Sequence, residues 1–233
     1  MRIILLQPFY FPWIGMFDMM SRVDKFIFYD DAQYSKQGWQ TRNRIKSYNG
    51  AKWLSVNINQ KYKLGTPISE IRVNHQTRWR EHNLNQIKEA YRKAEYFNEY
   101  YPLIANFLKG QHEKLMDYSV GSVKLVADIL GIDVEIEFSS KYNIASSHGP
   151  QKVVDICLAA GGSEYFDGAS GQEMYDRAFF LNQGVTINFH DYEHPKYRQL
   201  HGKFVSHLSV LDLLFNEGLN SLEILRSGGK NNF

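Results

Sequence analysis

The apolar and polar positions of the chain fall into short runs whose period changes along its length. Residues 3–6 and 25–29 are brief, β-rich apolar runs. Between them Ile14, Phe17 and Met20, with Met16 beside them, recur at the spacing of one helix face over residues 12–23. Pro12 suits the first turn of that helix, where a missing N–H forfeits no hydrogen bond. Residues 53–58 and 68–73 predict two further strands, set among the polar, turn-rich stretches 31–52 and 59–67.

The period then becomes helical from 80 to 116, with a break near Glu95 and Tyr96. Ser119 reads as the N-cap of another helix, which Gly131 ends as a left-handed stop residue. This predicts a helical insertion or subdomain, 80–131, within one α/β domain spanning 1–233. Alternation returns afterwards: strand 134–138, helix 150–160, strand 164–166, helix 170–181, strand 185–189. Pro150 opens the first of these helices, and Ser170 with Glu173 fits a capping box for the second. Two short helices finish the chain. Ser209 opens one, with Asp212 as its cap partner and Gly218 as its stop, and the other starts near Asn220 with Glu223 third; the tail 227–232 reads as frayed.

Strands alternating with helices predict an α/β fold: a mostly parallel, Rossmann-like sheet with helices on both faces, because parallel neighbours need crossover connections. In such sheets ligands collect beyond the strands' C-terminal ends. Four segments qualify, 7–11, 30–50, 139–149 and 190–202, and all are rich in polar groups and rings.

Composition narrows the partners. The 233 residues carry 27 basic and 25 acidic side chains, a balance of +2 that signals neither a nucleic acid nor a membrane surface. The single cysteine, Cys157, lies in an apolar stretch, which excludes an intrachain disulfide and reads as core in a reducing compartment. The apolar start is broken at Gln7 and Pro8 before any leader pattern develops, and no apolar run is of membrane length, so a cytoplasmic location is expected. All four tryptophans, Trp13, Trp39, Trp53 and Trp79, fall in the first third of the chain, as a core or a stacking surface would require.

The candidate chemistry follows the strand ends. Gln7 and Tyr10 lie where a strand passes into a helix whose free N–H groups could face a phosphate or carboxylate; a rigid turn with packed rings is the alternative. Asp30 and Asp31 follow the second strand and lead through Gln33, Lys36, Trp39 and Asn43 into a loop carrying Arg42, Arg44 and Lys46. One acid could hold a ribose hydroxyl or act as a base, the cations could hold phosphates, and buried Tyr34 and Trp39 would fix the loop. Lys36 and Arg44 could equally neutralise Asp30 and Asp31. The late His190-Asp191-Tyr192-Glu193-His194 and His201 lack a defined metal-ligand set, so a general base is the better reading, with His194 preferred. Asp167-Gly168-Ala169-Ser170-Gly171 could approach an anion, yet it is neither a Walker loop nor a dinucleotide fingerprint, and no cofactor can be named.

The opening Gln7-Pro8 with Tyr10, Pro12, Trp13 and Gly15, the paired aspartates, Gly38-Trp39-Gln40 before Arg42-Asn43-Arg44-Ile45-Lys46, and His194-Pro195 with Tyr197 and Gln199 together resemble the WbqC-like family across nearly the whole chain. Arg198 departs from the proline expected between Tyr197 and Gln199. The resemblance implies a link to O-antigen and other surface-polysaccharide assembly, and a transferase placing a glycyl or other acyl group on a nucleotide-linked amino sugar. Its partners would be a nucleotide or nucleotide-sugar and an acyl or aminoacyl donor, with no membrane insertion and no nucleic acid other than a charged tRNA as donor. Adenylation or nucleotidyl transfer, and a non-catalytic RNA- or partner-binding role, are the alternatives. Asp31 and His194 are the candidate catalytic groups; Gln7, Tyr10, Asp30, Gln33, Lys36, Trp39, Asn43, Arg44, Lys46, Tyr197 and Gln199 would bind substrate in one composite cleft walled by Tyr10, Trp39 and Tyr197.

Overall fold

The central strand is the first one. In a computed structural model describing residues 1–36, 38–144 and 149–230, β1 (Arg2–Leu6) pairs in parallel with β2 (Lys25–Phe28) on one side and β6 (Glu164–Asp167) on the other. β5 (Glu135–Phe138) extends the sheet beyond β2 and β7 (Thr186–Phe189) beyond β6, giving the order β5-β2-β1-β6-β7, all parallel. The chain first builds outward from β1 and then returns to its other side. Right-handed crossovers therefore put the early connections on one face and the late ones on the opposite face.

Alternate residues of each strand sort accordingly. Ile4, Phe26, Phe28 and Phe166 enter the larger core, under α1 (Ile14–Met20), the middle helices and the final helices. Ile3, Leu5, Ile27, Tyr165 and Ile187 face the smaller core, against α5 (Gly149–Ala159) and α6 (Arg177–Leu181). Cys157 lies in that smaller core, and burial pushes its thiol up to about 11, which makes it an inert packing group.

Between β2 and β5 the chain forms an antiparallel hairpin, β3 (Arg42–Ser47) with β4 (Gly50–Ser55), and then α2 (Trp79–Tyr91), α3 (Phe97–Lys109) and α4 (Leu115–Leu130). Ile45, Leu54, Ile87, Ile104 and Val123 all join the larger core, as do residues of α7 (Val210–Glu217) and α8 (Ser221–Ser227). The break near Glu95, the left-handed Gly131 (φ 67°) and the Gly218 stop (φ 54°) stand where the pattern puts them.

Several expectations are corrected. The cationic segment read as a loop is strand β3: Asn43 and Ile45 are buried while Arg42 and Arg44 face outward, a period of two that the charges obscure. The expected strand 68–73 is a short 3-10 turn, Ile68–Glu70, followed by isolated bridges at Arg72 and Val73, and β4 begins and ends about three residues earlier than the expected strand 53–58. Ser119 is not a cap. Helix α4 starts earlier, where Asp117 accepts the Lys114 N–H at 3.2 Å, and Ser119 bonds back to the Leu115 carbonyl at 3.3 Å. The helix expected from Ser170 is a 3-10 turn, Ala169–Glu173, and then α6, whose cap is Asp176 accepting from the Ala178 N–H at 2.9 Å. The turn hugs the strand end because the Asp167 carboxylate occupies the space where a Gly171 side chain would be, 2.2 Å from an ideal Cβ. Gln37, residues 145–148 of the third strand-end segment, and 231–232 of the tail lie outside the described residues.

Candidate functional site

The chain leaves β1 under strain. Phe11 holds φ at 40°, a left-handed conformation unfavourable for a ring-bearing residue and doubly so before a proline. Two hydrogen bonds pin it there: its N–H donates to Ser122 Oγ at 2.9 Å, and its carbonyl accepts from Asn43 Nδ2 at 2.8 Å. Trp13, the residue before α1, then lays its indole across Gly15, where an ideal Cβ would meet ring atoms at 2.2–2.5 Å. The result is a cavity of about 200 Å³ lined by Phe9, Pro12, Trp13, Trp39, Asn43 and His207. Three segments remote in sequence meet there: the exit from β1, the start of the hairpin, and the late loop. His207 also has a positive φ, 57°. Strained non-glycine backbone, at His207 on the cavity wall and at Phe11 in the core beside Pro12, is held by its surroundings, as is common at ligand sites.

The structure brings some of the sequence-nominated residues to this place. Trp39 and Asn43 line the cavity; Gln7 does not, and its Oε1 accepts from Gln40 Nε2 at 2.6 Å. Tyr10 is fully buried, its N–H donating to the Trp39 carbonyl at 2.9 Å and its hydroxyl accepting from Asn83 Nδ2 at 3.1 Å; burial holds that hydroxyl protonated. Trp39, expected to be buried, is 46 % exposed and lies 5.8 Å from the ring of Trp53. The Arg42 guanidinium stacks over Trp53 at 4.3 Å, and that of Arg44 lies at 5.8 Å with its Nε buried and without a partner among the described residues. Gln33 is exposed beyond β2, where its backbone bridges to Pro67, and Lys36 lines a separate, polar cavity with Arg42.

The two aspartates face elsewhere. Asp30 is buried and accepts from Ser139 Oγ at 3.0 Å, the Ser140 N–H at 3.0 Å and Ser140 Oγ at 2.7 Å. Asp31 accepts from Ser139 Oγ and pairs with Lys152 Nζ at 2.6 Å. Neither acid is neutralised by Lys36 or Arg44, as one reading of the segment expected. These acids tie the ends of β2 and β5 together.

His194 sits among rings instead: Trp13 stacked at 6.3 Å, Tyr197 at 6.3 Å, Phe204 at 5.7 Å and His207 at 5.0 Å. Its Nδ1 is 2.9 Å from the Pro195 carbonyl, which can only accept, so Nδ1 carries the proton and Nε2 the lone pair. That Nε2 is buried with no partner among the described residues, and burial lowers the imidazole below its ordinary range. His194 and Asp31 thus stand in different surroundings.

Lys46, Tyr197 and Gln199 form a third, buried group around Asp212. Tyr91 and Tyr197 donate to its two carboxylate oxygens at 2.9 and 3.0 Å, Lys46 donates to the Gly202 carbonyl at 3.2 Å, and Gln199 makes two 2.9 Å bonds with the Val205 backbone. Burial pushes the Asp212 carboxyl up to about 6. Its side chain is therefore a core acid and not the cap partner of Ser209, whose hydroxyl alone accepts the Leu211 N–H, at 3.3 Å. Arg198 uses the N–H that a proline would lack, donating to Glu217 at 3.0 Å.

Sequence reasoning passed over Phe9, Trp13 and His207 as ligand walls, and Asp167 as an acid at the switch between β1 and β6, which burial pushes up to about 6. The signal for Trp13 was present in Gly15, two positions on. Among the described residues no group of three histidine, cysteine, aspartate or glutamate side chains converges to hold a metal, and no helix is long and apolar enough to cross a membrane.

Fold and site together define an α/β protein with a Rossmann-like parallel sheet and a ring-lined cavity on the loop leaving its central strand. The chain belongs to the WbqC-like protein family, which matches residues 7–224. It is 31 % identical over 227 residues to a Mycobacterium tuberculosis protein described as "Uncharacterized protein Rv1507c", covering 97 % of both chains. No solved structure matches it significantly.

Proposed function

We propose that the chain is a transferase that moves a glycyl or other acyl group onto a nucleotide-linked amino sugar during O-antigen or other surface-polysaccharide assembly. The observation that carries this reading is the cavity, with rings on several walls, His207 on another, and the free Nε2 of His194 behind them. A volume of about 200 Å³ is smaller than the ~300–1,000 Å³ of a cleft enclosing a whole drug-sized ligand, so it suits one ring of a larger molecule. In this reading Trp13 and Trp39 hold the ring, Asn43 supplies a polar contact, and Arg44 takes phosphate from the Trp53 side. The amine of the sugar gives its proton to an imidazole as its nitrogen attacks the acyl carbonyl; the bond to the donor's leaving group then breaks, and the leaving group takes the electron pair. His194 is the proton acceptor in this reading, its ring 5.0 Å from that of His207 on the cavity wall. Asp31, paired with Lys152, moves no proton here.

A calorimetric screen of nucleotides and nucleotide-amino sugars against the whole chain tests this. A binder whose affinity falls at least tenfold in Trp13→Ala, and whose acylated product disappears in His194→Ala while binding persists, is the expected result. Equal affinity in a folded Trp13→Ala protein would remove the cavity from the reading.

A further inference from the structure

The overall charge of +2 conceals a segregation. From Ala32 through Ser69 the chain contains no aspartate or glutamate, yet it carries Lys36, Arg42, Arg44, Lys46, Lys52, Lys61 and Lys63, interleaved with Tyr34, Trp39, Tyr48, Trp53 and Tyr62. Lys46 points into the core, but Lys36, Lys61 and Lys63 are exposed, and none of these three nor Arg42 has an ion-pair partner among the described residues. Acids border the segment at Asp31 and Glu70, and Asp31 is already held by Lys152.

We infer that the outer face of the β3–β4 hairpin and the segment after it form a binding track for single-stranded RNA. Charge complementarity supplies the first argument: unpaired, exposed cations on one acid-free segment would release counterions on meeting a phosphate backbone. The rings supply the second. Trp39 and Trp53 are 46 % and 41 % exposed and lie 5.8 Å apart, and Arg42 stacks on Trp53 at 4.3 Å. Two neighbouring tryptophans half in water, one already backed by a guanidinium, form a platform on which unpaired bases stack whatever their sequence. Continuity supplies the third. The polar cavity of about 530 Å³ that holds Lys36 and Arg42 shares Gln60, Tyr62 and Asn74 with a second, of about 780 Å³, that holds Lys61 and Lys63. At the other end Trp39 belongs to the ring-lined cavity. A strand lying on this track runs from the lysines, over the tryptophans, to the mouth of the proposed site. A duplex keeps its bases inside its own stack and could use the cations only. The inference stands on charge and ring placement and does not depend on the transferase reading.

The test is fluorescence anisotropy of a labelled single-stranded RNA of about twelve nucleotides with the full-length chain, over a range of salt, with tryptophan emission recorded in parallel. Four phosphate contacts predict a slope of log K against log salt of about −3, at roughly −0.7 per contact on a single strand. Tryptophan emission should be quenched on binding. Lys61→Glu combined with Lys63→Glu should weaken binding at least tenfold and flatten the slope by about 1.4, without a change in melting temperature, since both side chains are exposed and unpaired. Trp53→Ala should weaken binding and leave the slope unchanged. The inference is overturned by absence of binding at low salt, by equal binding of duplex RNA without quenching, or by preference for anionic lipid vesicles over RNA. Equal nucleotide-sugar affinity in a folded Trp13→Ala protein would defeat the transferase reading and leave these measurements untouched, so the two readings fail separately.

Discussion

Glycine 15 is required by its neighbour's ring, since an ideal Cβ there would lie 2.2 Å from the Trp13 indole. Gly15→Ala should therefore push the indole into the cavity, and nucleotide-sugar affinity should fall at least tenfold while circular dichroism stays native; unchanged affinity would show that the ring has another place to go. Asp212 gives a prediction of a different kind. Its carboxyl is raised from 3.8 to about 6 by burial, against the opposing pull of two tyrosine hydroxyls and Lys46. The native state thus binds its proton more tightly than the unfolded chain does, so the protein binds more protons when folded between about pH 4 and 6. Stability must fall as pH rises through that window, by about 3 kcal/mol from this group, with the loss complete above it. Melting temperatures from pH 4 to 7 should show the decline, and Asp212→Asn should flatten it except for the share of Asp167, which has the same sign. Ser209 was legible as a cap, because a cap is a local device. Asp212, three positions on, fitted the same device in sequence, but a tyrosine 121 residues away claims its side chain. No spacing rule registers a partner at that distance.

At the level of elements, strands and helices with a clean period were readable, and those whose outward positions carry unusual chemistry were not. β1 and β2, inside the sheet, show as nearly continuous apolar runs, and β5, β6 and β7 as shorter ones mixed with polar residues, so all five could be found. β3 could not: its outward residues are arginines facing Trp53 across the hairpin, and a run of cations reads as a solvated loop. That pairing makes the strand testable. Arg44 has a buried Nε with no partner among the described residues, so it stands ready for an anion, and Arg44→Ala should weaken nucleotide-sugar binding by about 1–3 kcal/mol with the hairpin intact. Unchanged calorimetric affinity in a folded variant would take the hairpin cations out of the small-molecule site. The second unreadable element, the stretch after β6, failed for a tertiary reason: the Asp167 carboxylate excludes a side chain at Gly171 and holds the chain in a 3-10 turn against the sheet end. Helical propensity over residues 170–181 gave way to that contact.

For the molecule as a whole, the parallel sheet predicts that strand exits share an edge, and this much could be read from the alternation of elements alone. What sits at the meeting point could not. The expected cleft joined Asp31 to His194, whereas the structure gives Asp31 to Ser139 and Lys152 and surrounds His194 with rings. The N-terminal and late segments do meet, through Trp13 and His207, whose rings stack at 5.1 Å, with Trp39 and Asn43 of the hairpin closing the wall. Phe11 and Asn43 brace this junction from within, and Ser209 continues it, its N–H donating to the Arg44 carbonyl at 2.7 Å and its neighbour Val210 bonding to the Pro12 carbonyl at 2.9 Å. Because those hydrogen bonds link the same three segments that line the cavity, a ligand seated there cannot order one without the others. Hydrogen exchange should therefore slow together in residues 9–14, 39–45 and 205–211 when a nucleotide-sugar binds, and the melting temperature should rise with ligand concentration by mass action. Protection confined to the hairpin would place the ligand on the outer Trp39–Trp53 face, and the composite cavity would then have no part in its binding.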